Sequence, residues 1–280
     1  MEVKAKKALG QHFLTDLSIA QRIADALEVP AVNGTDPAAG SLRPFPTLEI
    51  GPGTGVLTQF LLPRTELDLK MIELDGESVE YLLGHFPGMQ GRLMQGDFLK
   101  LPLNRIFPQD FLVIGNFPYN ISSQIFFRIL DVRDKVPQVV CMIQKEVAQR
   151  IAEKPGSKTY GILSVLLQAW YDIEFLFSVG PGAFVPPPKV QSAVIRLRRN
   201  GRKELGCDER LFKALVKTSF GQRRKTLRNS LRPLAKSQGV PEDTLTSLFS
   251  DAVFDLRPER LGVEDFISLT RRFSEAGRSV

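Results

Sequence analysis

A glycine-rich turn, Glu49-Ile50-Gly51-Pro52-Gly53-Thr54-Gly55, follows a short apolar segment. Glycines at alternate positions let a backbone turn sharply and approach a ligand that side chains would hold off. The spacing is GxGxG rather than the GxGxxG of dinucleotide sites, and a plain strand-to-helix turn would look the same. Glu73 ends KMIEL, 22 residues after Gly51, where a carboxylate can accept both hydroxyls of a ribose. Asp97 ends RLMQGD, where it can accept from an adenine amine. Either acid alone would serve equally as a helix cap or a solvated loop acid. Set at successive strand ends behind the glycine turn, they describe a pocket for an adenosine-containing cofactor. Asn116-Phe117-Pro118-Tyr119 follows the apolar FLVIG. The Asn116 amide oxygen and the Pro118 carbonyl can accept from an exocyclic amine, and Tyr119 offers a face on which a flat base can stack. A structural turn with a packed aromatic is the plainer alternative. In this position the tetrapeptide points to methylation of an amino group on a base.

The elements that must position these residues follow from the hydrophobic pattern. Residues 15–27 have helical spacing, with Thr15 or Asp16 as cap. Residues 30–46 are rich in Gly and Pro and read as a loop, followed by a strand, the glycine turn and an amphipathic helix. LDLKMIEL, RLMQGDFL, FLVIGNFPY and QVVCMIQ then read as strands, alternating with the helical SVEYLLGHF, SSQIFFRILD and KEVAQRIAE. Such alternation predicts a mostly parallel α/β sheet with right-handed crossovers. YDIEFLFSVG and QSAVIRLRR suit an antiparallel edge, with PGAFVPPPKV between them. Beyond residue 200 every periodic segment is helical. Two domains are expected, 1–200 α/β and 201–280 small and all-helical.

The chain has 280 residues, ample for a packed core, and a formal net charge of +6. Residues 1–188 hold 17 basic and 20 acidic residues, whereas residues 189–280 hold 20 and 11. The positive excess therefore belongs to the last third. Arg196, Arg198, Arg199, Arg202 and Lys203 form one cluster, and Arg223, Arg224, Lys225, Arg228 and Arg232 a second. Clustered cations attract a polyphosphate backbone, although charge alone fits a solvated helix face as well. Cys141 and Cys207 are 66 positions apart, and with two histidines in the chain no zinc site is expected, nor any other metal. No apolar run approaches the ~18 residues of a membrane span, and the basic start lacks a secretory apolar stretch, so a cytoplasmic protein is expected.

Ordered blocks across nearly the whole chain resemble the rRNA adenine N(6),N(6)-dimethyltransferases. They are GQHFL (10–14), EIGPGTG (49–55), IE (72–73), GDFL (96–99), GNFPYNIS (115–122), QKEVAQRI (144–151), YGILSVL (160–166), FVPPPKVQSAVIRL (184–197) and FGQRRKTLRNSL (220–231). Within that family the chain is most similar to the bacterial small-subunit (16S) rRNA enzymes, which methylate two adjacent adenosines in a hairpin loop. The resemblance implies a Rossmann-like class I methyltransferase sheet with S-adenosylmethionine as cofactor. By the same resemblance His12, Leu14, Gly51 and Gly53 lie in the cofactor pocket, Glu73 binds its ribose, Asp97 its adenine amine, and Asn116 is shared between cofactor and target. It also implies a monomer acting on 16S rRNA or the pre-30S subunit. Phe117 departs from the family, where Leu is common, and the loop over residues 32–46 is unusually long.

The expected chemistry is N(6),N(6)-dimethylation of adenosine, with Asn116, Pro118 and Tyr119 at the reacting amine. Phe184 would help stack the target base, and Arg223, Arg224, Lys225 and Arg228 would grip RNA phosphates. No histidine is expected to serve as a base, and His85 reads as a helix-end residue. Competing readings are an assembly factor that acts mainly by binding the small subunit, a large-subunit rRNA adenine methylase, and a dinucleotide oxidoreductase built on the glycine turn.

Overall fold

The computed structural model describes residues 3–30 and 43–278. Among the described residues there are nine strands: β1 Phe13–Leu14, β2 Phe45–Ile50, β3 Leu67–Glu73, β4 Leu93–Gln95, β5 Leu112–Asn116, β6 Gln138–Gln144, β7 Tyr171–Val179, β8 Phe184–Val185 and β9 Ser192–Arg199. Seven form one sheet in the order β4-β3-β2-β5-β6-β9-β7. The strands from β4 to β6 are parallel, and β9 lies antiparallel to β6, pairing Gln138 with Arg198 and Gln144 with Ser192. This is the mostly parallel sheet with an antiparallel edge that the pattern predicts. Its central strands read as unbroken apolar runs because both faces are covered: Leu112, Val113 and Ile114 are fully buried, as are Val139, Val140 and Cys141.

Helices α1 Leu17–Asp25, α2 Thr58–Leu61, α3 Gly76–His85, α4 Leu103–Ile106 and α5 Ser122–Asp131 connect these strands. Asp16, not Thr15, caps α1, its carboxylate accepting from Ser18 N and Ile19 N at 2.9 and 3.2 Å. Ala20, Ile23 and Ala24 form the buried stripe of α1. β2 begins at Phe45, inside the stretch expected to be loop; residues 31–42, most of the long 32–46 segment, lie outside the described residues.

Six further helices follow among the described residues: α6 Lys145–Ala152, α7 Ile162–Gln168, α8 Glu209–Gly221, α9 Leu227–Ser237, α10 Glu242–Leu248 and α11 Val263–Arg278. The chain divides into two compact units, residues 1–148 with 172–199, and residues 149–171 with 200–280. The boundary expected at residue 200 therefore misses a segment: residues 149–171 belong with the helical tail. The physical reason is α7, whose Leu163, Val165, Leu166 and Leu167 are buried and which packs on α8 and α11. Gln168 Nε2 ties α7 to the carbonyls of Ile151 and Glu153 at 2.9 and 2.8 Å. The helical unit has its own aromatic core, with Phe249 edge-on to Phe254 at 4.7 Å and to Phe273 at 6.0 Å.

The first basic cluster is structural in character. Arg196 and Arg198 on β9 are shared between Glu28 and Glu174, and Arg199 bonds Asp134 at 3.1 Å. Arg202 is paired with Glu264. Four of its five cations are thus matched by acids of their own unit.

Candidate active site

The chain leaves β2 for β3 and β4 on one side and returns to β5 and β6 on the other. In such sheets the crevice outside the strands' carboxyl ends, where the order reverses, receives ligands. The glycine turn after β2 and the Asn116 loop after β5 meet there. Gly115 permits this approach, because a Cβ on it would lie 2.5 Å from the Ile50 carbonyl oxygen. Gly53, at φ +60°, offers its N–H to Glu73 Oε2 at 3.1 Å, and a Cβ there would press on the Phe13 ring at 3.0 Å.

A cavity of about 220 Å³ opens at this point. It is lined by His12, Gly51, Gly53, Glu73, Asp97 and Asn116, with Pro118 and Tyr119 beside them. Residues read from four separate strand ends and from the N-terminal segment are brought together. Leu14 is buried and lines a smaller adjoining cavity of about 30 Å³ with Glu49 and Leu57. Phe13, Gly51, Gly53 and Asn116 border both.

Glu73 is nearly buried, and burial raises its carboxyl above the usual range. The N–H groups of Gly53 and Asp75 hold its two oxygens in place, at 3.1 and 2.9 Å, while the oxygens' other lone pairs can accept hydroxyls. Asp97 Oδ1 caps the turn at Phe98–Lys100 by accepting from Leu99 N at 3.0 Å, and its Oδ2 lies 3.5 Å from Lys100. The acid thus performs the capping role and borders the cavity as well.

Asn116 Nδ2 donates to the His12 carbonyl at 3.2 Å. One N–H of the amide is thereby engaged, and its oxygen remains an acceptor. Pro118 O accepts Ile121 N at 3.2 Å and retains a second lone pair. The Tyr119 hydroxyl shares a hydrogen bond with Ser192 Oγ, and its ring lies 5.5 Å from that of His12. His12 donates from Nδ1 to the Pro186 carbonyl at 2.8 Å. His85 ends α3, bonded to the Tyr81 carbonyl.

Phe184 is placed differently from its expected stacking role. It is 2% exposed and packed in the core with Leu14, because β8 pairs with β1 and turns this side chain inward, leaving Val185 outermost. Phe117 is also buried, edge-on to Phe126 at 5.8 Å, so the larger ring at this position is absorbed by the core.

Glu49 is the residue that sequence reasoning overlooked. It is 1% exposed on β2, Oε2 has no hydrogen-bond partner among the described residues, and burial pushes its carboxyl up to about 8, helped by the charge of Glu73. An acid inside an otherwise apolar strand was the available signal.

The chain matches the family described as ribosomal RNA adenine dimethylase over residues 2–248. It belongs to that family. A relative from Parabacteroides distasonis, named ribosomal RNA small subunit methyltransferase A, is 59% identical over 96% of this chain and 93% of its own. One of the same name from Bacteroides thetaiotaomicron is 54% identical over 98% and 96%. Among solved structures, a Plasmodium falciparum dimethyladenosine transferase superposes with a TM-score of 0.78 at 24% identity, covering 95% of this chain and 98% of its own. The 23S rRNA methyltransferase ErmE gives a TM-score of 0.62 at 26% identity, covering 94% and 99%. The fold is accordingly that of a class I methyltransferase. The dimethylase is an enzyme that modifies adenine in ribosomal RNA with S-adenosylmethionine as methyl donor.

The residues present fit that cofactor. A cation is what the buried, half-unpartnered Glu49 lacks, and S-adenosylmethionine carries two, a sulfonium and an ammonium. The glycine turn leaves room for its backbone-hugging portion, and Glu73 is free to accept ribose hydroxyls.

In the helical unit, Arg224 and Lys225 are exposed, with no ion pair among the described residues. Arg223 reaches the Ser157 carbonyl and Glu259, whereas Arg228 is bound to Asp255 and to the Phe249 carbonyl. The second basic cluster is thus only partly available to an outside anion. Among the described residues no group of three or more His, Cys, Asp or Glu could hold a metal ion, and no helix is long and apolar enough to cross a membrane. Cys141 and Cys207 are both free thiols.

Proposed function

We propose that this dimethylase converts two adjacent adenosines in a hairpin loop of small-subunit (16S) rRNA to N(6),N(6)-dimethyladenosine, acting as a cytoplasmic monomer on rRNA or the pre-30S particle. Support for the small subunit comes from the names of the relatives sharing more than half of their residues with this chain. The observation that carries the site assignment is the Asn116 amide: its NH₂ donates to the His12 carbonyl and the residue lines the cavity, which supports assigning its oxygen as the acceptor for the target amine.

The adenine amine is a poor nucleophile because its lone pair is delocalised into the ring. Asn116 Oδ1 and the Pro118 carbonyl would hold its two hydrogens and turn that lone pair toward the cofactor. S-adenosylmethionine supplies a methyl group already activated by the positive charge on sulfur. Positioning is therefore the main task of the protein, worth up to roughly 7–11 kcal/mol. Glu73 binds the ribose, Asp97 the adenine amine, and Glu49 faces the cationic end from the smaller cavity. Tyr119 stacks the target base once it has left its RNA stack. The nitrogen turns acidic as it is methylated, so its proton passes to solvent without a strong base. One hydrogen and one acceptor contact survive the first transfer, which leaves a second possible. Arg224 and Lys225 supply phosphate contacts.

Mass mapping of small-subunit rRNA tests this, in cells with the gene, without it, and with Asn116→Ala. Two adjacent dimethyladenosines are expected with the wild type alone. Full modification by the Asn116→Ala protein, or the same map without the gene, would overturn the proposal.

A further inference from the structure

The N-terminal segment forms one wall of the larger cavity through Leu9, Gly10, Gln11, His12 and Phe13, yet of these only Leu9, in a 3-10 turn, and Phe13, in β1, belong to regular structure. Its C-terminal end is fixed to the unit by β1–β8 pairing, by Thr15 N on the Ala183 carbonyl at 2.8 Å, and by Asn116 on the His12 carbonyl. Its other end is held by side chains alone. Lys6 Nζ donates to Asp75 Oδ1 and lies 3.2 Å from Glu77, while Gln11 Nε2 reaches Asp75 Oδ2 at 3.5 Å. Gln11 Oε1 in turn accepts Lys6 N at 2.8 Å, closing the segment into a compact turn.

The Asp75 side chain is 4% exposed, and its N–H is bonded to Glu73, the ribose acid. Burial opposes its charge, but hydrogen bonds from Lys6, Gln11 and Ser78 outweigh this and hold the carboxyl below its usual range. Removing Lys6 strips a buried carboxylate of its counter-charge, which favours displacement of the segment that carries it. The partner lysine is itself 38% exposed, so water and salt can compete for it.

We propose that Lys6 and Asp75 form a latch that keeps residues 6–13 closed over the cofactor pocket, and that opening of this latch sets the rate of cofactor release. Lys6 and Asp75 are positioning residues, acting through the wall and through Glu73. The inference rests on the reading of this cavity as the S-adenosylmethionine site.

Stopped-flow dissociation of S-adenosylhomocysteine tests it on the full chain, with wild type, Lys6→Gln, Lys6→Arg and Glu73→Gln. Lys6→Gln should release the ligand at least about tenfold faster with little change in association, as expected when a buried carboxylate loses its counter-charge. Lys6→Arg should restore the wild-type rate. Added salt should speed release from the wild type and leave Lys6→Gln unchanged. Amide exchange at Gln11–Leu14 should rise in Lys6→Gln, as a check on the wall itself. Release from Lys6→Gln within twofold of wild type overturns the latch while Glu73→Gln still weakens binding. Unchanged binding by Glu73→Gln overturns the pocket reading and the latch together.

Discussion

Glu49 and Asn116 show how much a single side chain's surroundings decide. Glu49 titrates near pH 4.5 in an unfolded chain, whereas burial in the native strand pushes it up to about 8. Between these values the folded state binds one proton more than the unfolded state, so stability from this group is full at low pH and is lost as pH rises toward 8. Denaturant unfolding of the cofactor-free protein from pH 5 to 8 should show that decline, and Glu49→Gln should flatten it by an amount on the order of a few kcal/mol. A steeper decline in the variant would place the proton elsewhere. Supplying a cation to the same pocket favours the ionised form, so cofactor binding near pH 7 should release a proton in calorimetry, a release that Glu49→Gln lacks. For Asn116, the proposed contact is with the reacting amine. Asn116→Ala should lower kcat by about 10²–10³, the usual cost of one well-aimed polar contact in a transition state. Its affinity for RNA should stay near that of wild type.

At the scale of elements, the site depends on how closely β2 and β5 approach. A methyl group on Gly115 would meet backbone, not a movable side chain. Gly115→Ala should therefore destabilise the protein by about 1–3 kcal/mol, seen as a lower Tm, and should weaken cofactor binding because the two strand ends are pushed apart. Long strands and amphipathic helices were legible from their periods. The two-residue strands β1 and β8 were not, since Phe13-Leu14 and Phe184-Val185 are too short to show alternation. Their pairing also decides that Phe184 faces the core. Helix α7 was missed as an element because ILSVLLQ is apolar on every side, a run that periodicity cannot separate from a buried strand.

For the whole molecule, the surplus of positive charge is less uniform than a count suggests. Arg196 and Arg198 are consumed by Glu28 and Glu174, whereas Arg224 and Lys225 stand open. Replacing Arg224 and Lys225 by Gln should weaken RNA binding and reduce the salt dependence of log Kd by about 0.7–0.9 per charge removed. Arg198→Gln should leave that slope unchanged, because its charge is already matched inside its own unit. Filter binding of a small-subunit rRNA fragment across salt concentrations separates the two, and equal slopes for all three proteins would contradict the assignment.

Sequence alone determined the sheet class, the glycine turn, the acids at strand ends and the Asn-Phe-Pro-Tyr loop, because these depend on local period and on residue types that few other roles require. Tertiary structure decided what depends on neighbours distant in the chain. It grouped residues 149–171 with the helical tail, turned Phe184 into the core, matched four of the five cations in one basic cluster with acids and left Arg224 and Lys225 of the other open. It also isolated Glu49 from water and brought Lys6 to Asp75 across 69 residues. Burial and pairing are properties of the packed chain: the same carboxylate is a solvated acid or a buried one according to which strands lie beside it.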